Sequence, residues 1–390
     1  MGEDNIEVDQ GYWRYTTNST TVIECPNINA CNGGFHPDNK YPTQWAPGYE
    51  GILWSDCQIL NNVKYQPLSG FRCVKCPSPL FNTIRVVVVI AIAFLFLILL
   101  IYMNLRKRKD SQQSILLRIL TNYIQLISAS MAFNVRIPSS FDSMFSQVDR
   151  VSSPNETFFS FDCFIKDYEI RMFAPSNALF KLFLYMFLPL ILIGIISIGL
   201  FCLKGILYAL NPAKTFDLNR SIVVSMVGIV FLFHPTLTLE SLSVFLCNKI
   251  DADEYRMTYH MEYKCYSRNH LIWSALVGLP IIIVWVFGTP IITLIYLTKH
   301  RKQLEDWSIK KYFMIIYQGL RSEMYYWEFV NILRKFLILA INVFAYSTSI
   351  NVKLALSISK WISIILIFLI FISFSYPRLP HKASNIFKSI

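Results

Sequence analysis

The chain has 390 residues, 54% of them hydrophobic and only 16% charged, where a soluble domain carries about 25% charged residues. The deficit collects in long apolar runs, which excludes a soluble globular fold and makes this an integral membrane protein. The net charge of +11 does not imply nucleic acid as a partner, because the bases flank the apolar runs and act there as topology signals.

Residues 1–83 form the first unit. They hold no apolar run of signal-peptide length, so either the first span exports this segment or the chain is the tail of a longer protein. A disulfide module so close to Met1 favours the second reading. The segment reads GYWR, CPNINACNGG, WAPGYEGILWSDC and FRCVKC, and contains Cys25, Cys31, Cys57, Cys73 and Cys76. Five cysteines among Gly, Pro and Asn indicate a small loop-rich fold that needs staples in place of a large core. Cys73 and Cys76 have half of a zinc-type spacing, but no second pair lies nearby, so disulfides are the better reading. The odd number leaves one cysteine over, and connectivity does not follow from spacing.

The first span is 84–105, IRVVVVIAIAFLFLILLIYMNL, long enough for a hydrocarbon core of about 30 Å at about 1.5 Å per residue. Further spans are expected at 114–134, 177–203, 220–246, 272–297, 329–347 and 352–376. The fold class is therefore an all-α seven-helix transmembrane bundle, 84–376, capped by the irregular disulfide-rich module and ending in a tail at 377–390. With the N-terminus outside, the inner segments carry 16 basic against 6 acidic residues, and the outer ones 13 against 18. That asymmetry predicts N-outside and C-inside. The sequons at Asn18 and Asn155 then both fall outside, whereas the one at Asn219 is silent at the inner surface. Cys163, Cys247 and Cys265 also fall outside. Cys247 with Cys265 would close a loop over NKIDADEYRMTYHMEYK, Cys163 is an equal partner for either, and one of the three would resolve the odd count of the module. Cys202, near an inner helix end, reads as a buried thiol.

Ionisable groups inside a span cost about 2.5–3.5 kcal/mol near its centre on insertion scales, so each one marks a candidate position. Arg118, Asn122 and Gln125 follow i, i+4, i+7 and make one polar stripe on the second span. Such a stripe faces other helices or a solute path, with Arg118 snorkelling to the inner surface as the simpler alternative. In the fourth span His234-Pro235 predicts a kink and a freed carbonyl. His234 is either a relay group or an ordinary interior histidine. Glu240 lies about 9 Å below the outer end and Lys360 of the seventh span about 12 Å, which suggests a Glu240–Lys360 ion pair, the alternative being that Lys360 snorkels alone and Glu240 is protonated or reaches the outer interface. Gly278-Leu-Pro280 and Gly288-Thr-Pro290 predict a bent fifth helix. The segment 298–328 mixes bases with Trp307, Tyr312, Phe313, Tyr317, Tyr325, Tyr326 and Trp327, as an interfacial helix on an anionic leaflet would. Arg334 and Lys335 follow it, where they would act as an electrostatic anchor or, as the sharper alternative, hold lipid headgroups. No metal or cofactor set is legible, so none is expected.

GYWR, CPNINACNGG, GYEGILWSDC and CVKCP shortly before a span resemble the membrane-proximal end of large cysteine-rich surface proteins of ciliates and other protists. Those proteins carry epidermal-growth-factor-like or receptor-like cysteine repeats followed by a multi-pass region. The likeness extends through LLRILTNYIQLIS, LNRSIVVSM, HPTLTLESLS, HLIWSALVGLP and YYWEFVNILRK, and covers about residues 11–377. In the family pattern positions 45 and 54 are cysteine. Here they are Trp45 and Trp54, either true replacements of a bridge or UGA codons that the organism reads as Cys.

The resemblance implies a multi-pass plasma-membrane glycoprotein of receptor-like, sensory or adhesive type, whose partners are the bilayer and an extracellular ligand or ion. The seven-span N-outside plan matches G-protein-coupled receptors in geometry, but Asp-Arg-Tyr and Asn-Pro-x-x-Tyr are missing from the third and seventh spans. The alternative is a channel or transporter, since YYWEFVNILRK is similar to transient-receptor-potential-like channels of fungi and protists. The chain has no pore loop with a ring of acids. Paired catalytic carboxylates, Gly-x-Ser-Gly and His-Glu-x-x-His are also missing, so no enzyme is expected.

Overall fold

Short strands, each too small to stand alone, build the N-terminal module in the structure, a computed structural model. It describes residues 6–25, 27–36, 41–57, 64–68, 72–105, 119–125, 163–164, 167–168, 176–210, 217–304, 306–317 and 324–344. Four antiparallel pairs follow in chain order: β1 (Tyr12–Arg14) with β2 (Val22–Glu24), β3 (Cys31–Gly33) with β4 (Gln44–Trp45), β5 (Tyr49–Glu50) with β6 (Asp56–Cys57), and β7 (Tyr65–Leu68) with β8 (Arg72–Lys75). Two-stranded pairs are marginal in water, so packing and cross-links must hold them. The cross-links are Cys25–Cys31, Cys57–Cys73 and Cys76–Cys163. Gly33, at φ +75°, is needed where the Val8 carbonyl approaches too closely for any Cβ.

Trp13, Tyr41, Ile52, Leu53 and Trp54 form the core of the module around the Cys25–Cys31 bridge. Trp13 is fully buried against Tyr41, with ring centroids 5.2 Å apart. Beside it Arg14 is buried as well, and it is satisfied by donating to the Ser19 carbonyl at 2.5 Å and to the Thr17 carbonyl.

The helices begin at once after the module with α1 (Pro79–Leu105). Residues 119–125 are helical (α2), followed by α3 (Asn177–Leu210) and α4 (Leu218–Ser243). A meander of β9 (Cys247–Asp251), β10 (Glu254–Met257) and β11 (His260–Lys264) leads into α5 (Arg268–Lys299), and α6 (Trp307–Tyr317) and α7 (Trp327–Phe344) complete the described chain. Leu179–Ile206, Leu218–Ser243 and Arg268–Lys299 are long and apolar enough to cross a membrane. The seven-helix bundle thus reduces to three such spans among the described residues. The expected span 352–376 lies outside them, and of 114–134 only 119–125 falls inside. Helix α7 keeps its place, but it carries Glu328, Arg334 and Lys335 and does not meet the same composition.

Helix α4 is central, touching α1, α3, α5, α6 and α7. Its buried hydroxyls spend their hydrogen bonds on their own helix: Ser225 Oγ donates to the Ser221 carbonyl at 2.7 Å and Thr238 Oγ1 to that of His234 at 2.7 Å. The bend expected in the fifth span appears as widened π-helical turns at Ser274–Gly278 and Ile281–Gly288, each preceding or containing the approach to a proline.

Two clusters mark the two ends of the helices. At one end Asp217 caps α4 by accepting from the Arg220 N–H at 3.1 Å, and it lies 3.4 Å from Lys311 of α6. Ile309, Phe313 and Ile316 turn one face of α6 toward Leu297, Leu304 and Phe329, the amphipathic arrangement expected of 298–328. Asp217→Ala is expected to cost about 1 kcal/mol, a typical N-cap loss, readable as earlier thermal loss of helical circular dichroism. At the other end lie the module, Cys163 and the β9–β11 meander.

Glu254 of β10 is buried and pairs with Arg256 and with Lys264, the latter at 2.7 Å. Burial pushes its carboxyl up, but the Lys264 hydrogen bond and the Arg256 charge outweigh that and hold it below its ordinary value of 4.5. A carboxyl lowered on folding stabilises fully above pH 4.5 and loses that contribution as pH falls through the native value. The meander should therefore loosen as pH falls below 4.5 and through the lowered native value of Glu254, seen as faster hydrogen exchange at Tyr255 and Arg256 than in the helices.

Candidate functional site

Two polar stripes meet between α2, α4 and α7. On α7 Glu328, Asn331 and Lys335 follow i, i+3, i+7 and so share a face. On α2 the facing groups are Asn122 and Gln125. The Lys335 ammonium donates to Asn122 Oδ1 at 2.6 Å and to Gln125 Oε1 at 2.5 Å. The other end of the Asn122 amide donates to Glu328 Oε1 at 3.4 Å, and Asn331 reaches Glu328 Oε2 at the same distance. Gln125 Nε2 donates to the Leu232 carbonyl of α4 at 3.0 Å, just before His234-Pro235. A buried ammonium and a buried carboxylate are thus linked through one amide, the kind of satisfied network that apolar surroundings demand.

Lys335 is 3% exposed and Glu328 6%. This overturns the headgroup role for Lys335, whose charge is consumed by α2. Glu328 was missed because it sits at the edge of its span, although its seven-residue spacing to Lys335 equals that of Arg118 to Gln125. Arg118 and Lys360 lie outside the described residues, so the Glu240–Lys360 pair does too. Glu240 is half-buried, and its backbone carbonyl accepts from Ser243 Oγ at 2.8 Å.

His234 is buried and its Nε2 lies 3.0 Å from the Val286 carbonyl of α5. A carbonyl only accepts, so Nε2 carries the hydrogen. In α-helical register Val286 would look for the N–H of residue 290, which is Pro290 and has none. The histidine of one proline-containing helix thereby donates to a carbonyl that the proline of the next leaves without its α-helical donor.

The membrane end that bears the module is tied together three times. Ile250 and Met261 of the meander enter the same core as Trp13 and Trp54. Ser19 Oγ donates to Asp251 Oδ1 at 3.1 Å. Cys76–Cys163 closes beside Lys64–Asp167 at 2.8 Å and Thr83–Tyr168 at 3.0 Å. The odd cysteine of the module thus pairs with Cys163, and Cys247 pairs with Cys265. Cys202 is exposed on α3 and not buried as expected, because no helix covers that face among the described residues. Asn18 is exposed at a turn, as an acceptor for glycan must be, while Asn155 lies outside the described residues. Trp45 and Trp54 lie against each other with ring centroids 4.7 Å apart, so these two positions are neighbours.

Among the described residues a single set of metal-type donors comes together: Cys247, Cys265 and His270, within 4.8 Å of one another. No protein-family model, curated protein or solved structure matches the chain.

Proposed function

We propose that the chain is a multi-pass plasma-membrane surface protein of receptor-like type, with seven spans, its N-terminus outside and glycan on Asn18. It senses or adheres through its disulfide module and passes the result to the helices. The supporting observation is the shared core of Trp13, Trp54, Ile250 and Met261. The meander that supplies Ile250 and Met261 is the direct link between α4 and α5, so a displacement of the module must load both helix ends. Coupling through such a contiguous packed element needs two arrangements of that element, and the widened turns of α5 offer a place for the second.

Ile250→Asp tests the coupling. It should speed hydrogen exchange at the outer ends of α4 and α5 as well as in the module. Exchange that rises in the module alone would remove the receptor reading. The buried network of Lys335, Glu328, Asn122 and Gln125 favours a second reading, a channel or transporter. Protein reconstituted in planar bilayers should carry no current under voltage, acid or stretch. A current abolished by Glu240→Gln or Lys335→Met would move the assignment to the channel.

A further inference from the structure

Cys247 opens β9, four residues beyond the end of α4, Cys265 follows β11, and His270 stands in the first turn of α5. The disulfide and the histidine therefore sit where the two central helices emerge on the module side. His270 is 3% exposed and Cys265 2%. His270 Nε2 lies 3.0 Å from the Val244 carbonyl and must donate to it. The lone pair is then on Nδ1, which is buried and has no hydrogen-bond partner. A buried acceptor without a donor is unfavourable by about 1–3 kcal/mol, and a structural disulfide beside it does nothing to relieve that. The Ser267 side chain caps the first turn of α5 by accepting from the His270 backbone N–H at 3.2 Å.

We propose that Cys247, Cys265 and His270 form a redox-gated site for a thiophilic transition-metal cation of the zinc(II) or copper(I) class. The proposal stands apart from the receptor and channel readings. In the disulfide form neither sulfur is a thiolate, and the site takes no ion. A dithiol reductant breaks the Cys247–Cys265 bond, becomes a cyclic disulfide itself and leaves its two protons on the two thiols. A divalent cation then binds both sulfurs and Nδ1 and releases those two protons to solvent. Tetrahedral zinc with bonds of about 2.3 Å to sulfur needs the two sulfurs about 3.8 Å apart. That is an opening reached by side-chain rotation within the present donor cluster. The Nε2–H bond to Val244 is the outer contact that metal-bound histidines ordinarily make. The neighbouring cations Arg256 and Lys264 are both engaged by Glu254, which lowers their opposition to a bound cation. Three protein donors leave a fourth position for water or an exogenous ligand.

The test uses the full chain in lipid nanodiscs, reduced with dithiothreitol, freed of it under argon and titrated with cobalt(II). The expected result is a thiolate-to-cobalt charge-transfer band with intense tetrahedral d–d bands, displaced by zinc(II) and lost on reoxidation with diamide. Cys265→Ser should abolish that spectrum. His270→Ala, which keeps both thiols, should weaken cobalt binding about tenfold or more, equivalent to about 1.4 kcal/mol. Cys57→Ser should leave the spectrum unchanged. X-ray absorption of zinc-loaded wild type decides the matter without any variant: two sulfurs and an imidazole nitrogen are expected in its first shell. No tetrahedral cobalt in the reduced wild type, a zinc shell of four sulfurs or of nitrogen and oxygen alone, or equal binding in Cys265→Ser and His270→Ala would each overturn the site.

Discussion

Lys335→Met is expected to lower the stability of the helical region by about 3–5 kcal/mol, the scale on which breaking a buried charge network acts. Methionine is likewise unbranched and only one heavy atom shorter, so the loss is mainly electrostatic. Asn122 Oδ1 and Gln125 Oε1 lose the donor that each receives at 2.6 and 2.5 Å. The Glu328 carboxylate, bridged through Asn122, loses one of its nearby cations, Arg334 being another. Reversible unfolding in mixed detergent micelles measures the change. Glu328→Gln added to Lys335→Met removes the opposite member of the network, so the double variant should recover at least about 1 kcal/mol relative to the sum of the single losses. A Lys335→Met protein within about 0.5 kcal/mol of wild type, the range of surface substitutions, would mean that the ammonium is solvated and that the helices do not meet as described.

Trp13→Ala should cost the module about 3–5 kcal/mol, the range for a large aromatic removed from a core. Trp13 is fully buried and contacts Tyr15 and Tyr41 with centroids 5.8 and 5.2 Å away. Tyr12, next along the same strand but 41% exposed, supplies the control, and Tyr12→Ala should stay within about 0.5 kcal/mol. Because Ile250 and Met261 share this core, the loss at Trp13 should also expose the amides of β9–β11. Tryptophan fluorescence and hydrogen exchange read the two effects separately. Equal losses at positions 12 and 13 would contradict the burial pattern of β1.

The membrane setting was legible in the sequence because apolar length and basic flanks are local properties that each segment declares alone. Pairing was not legible. Nothing in the spacing of Cys76 distinguishes Cys163 from Cys247 or Cys265, since the choice depends on how α1 and the 163–168 region approach. The same limit affected Lys335. A lysine near a helix end reads as a headgroup anchor unless the partner helix is known, and its partners lie 213 and 210 residues away. The stripe on α2 was visible, as was the proline at position 290. That His234 answers the carbonyl freed by that proline required knowing that α4 and α5 are neighbours.

The Cys76–Cys163 bond joins residues separated by 87 positions, with the first apolar helix between them, and this sets an order of events during biosynthesis. The module leaves the ribosome first but cannot finish its own cross-linking then. Its last cysteine waits for a segment that emerges only after α1 and α2, and its core waits longer still, for Ile250 and Met261 to follow α4. Until that point Cys76 has Cys25, Cys31, Cys57 and Cys73 as competing partners within the module. A chain cross-linked in this order needs disulfide isomerisation once the later segments are in place. Its slow folding step should be the release of Cys76 from early wrong partners.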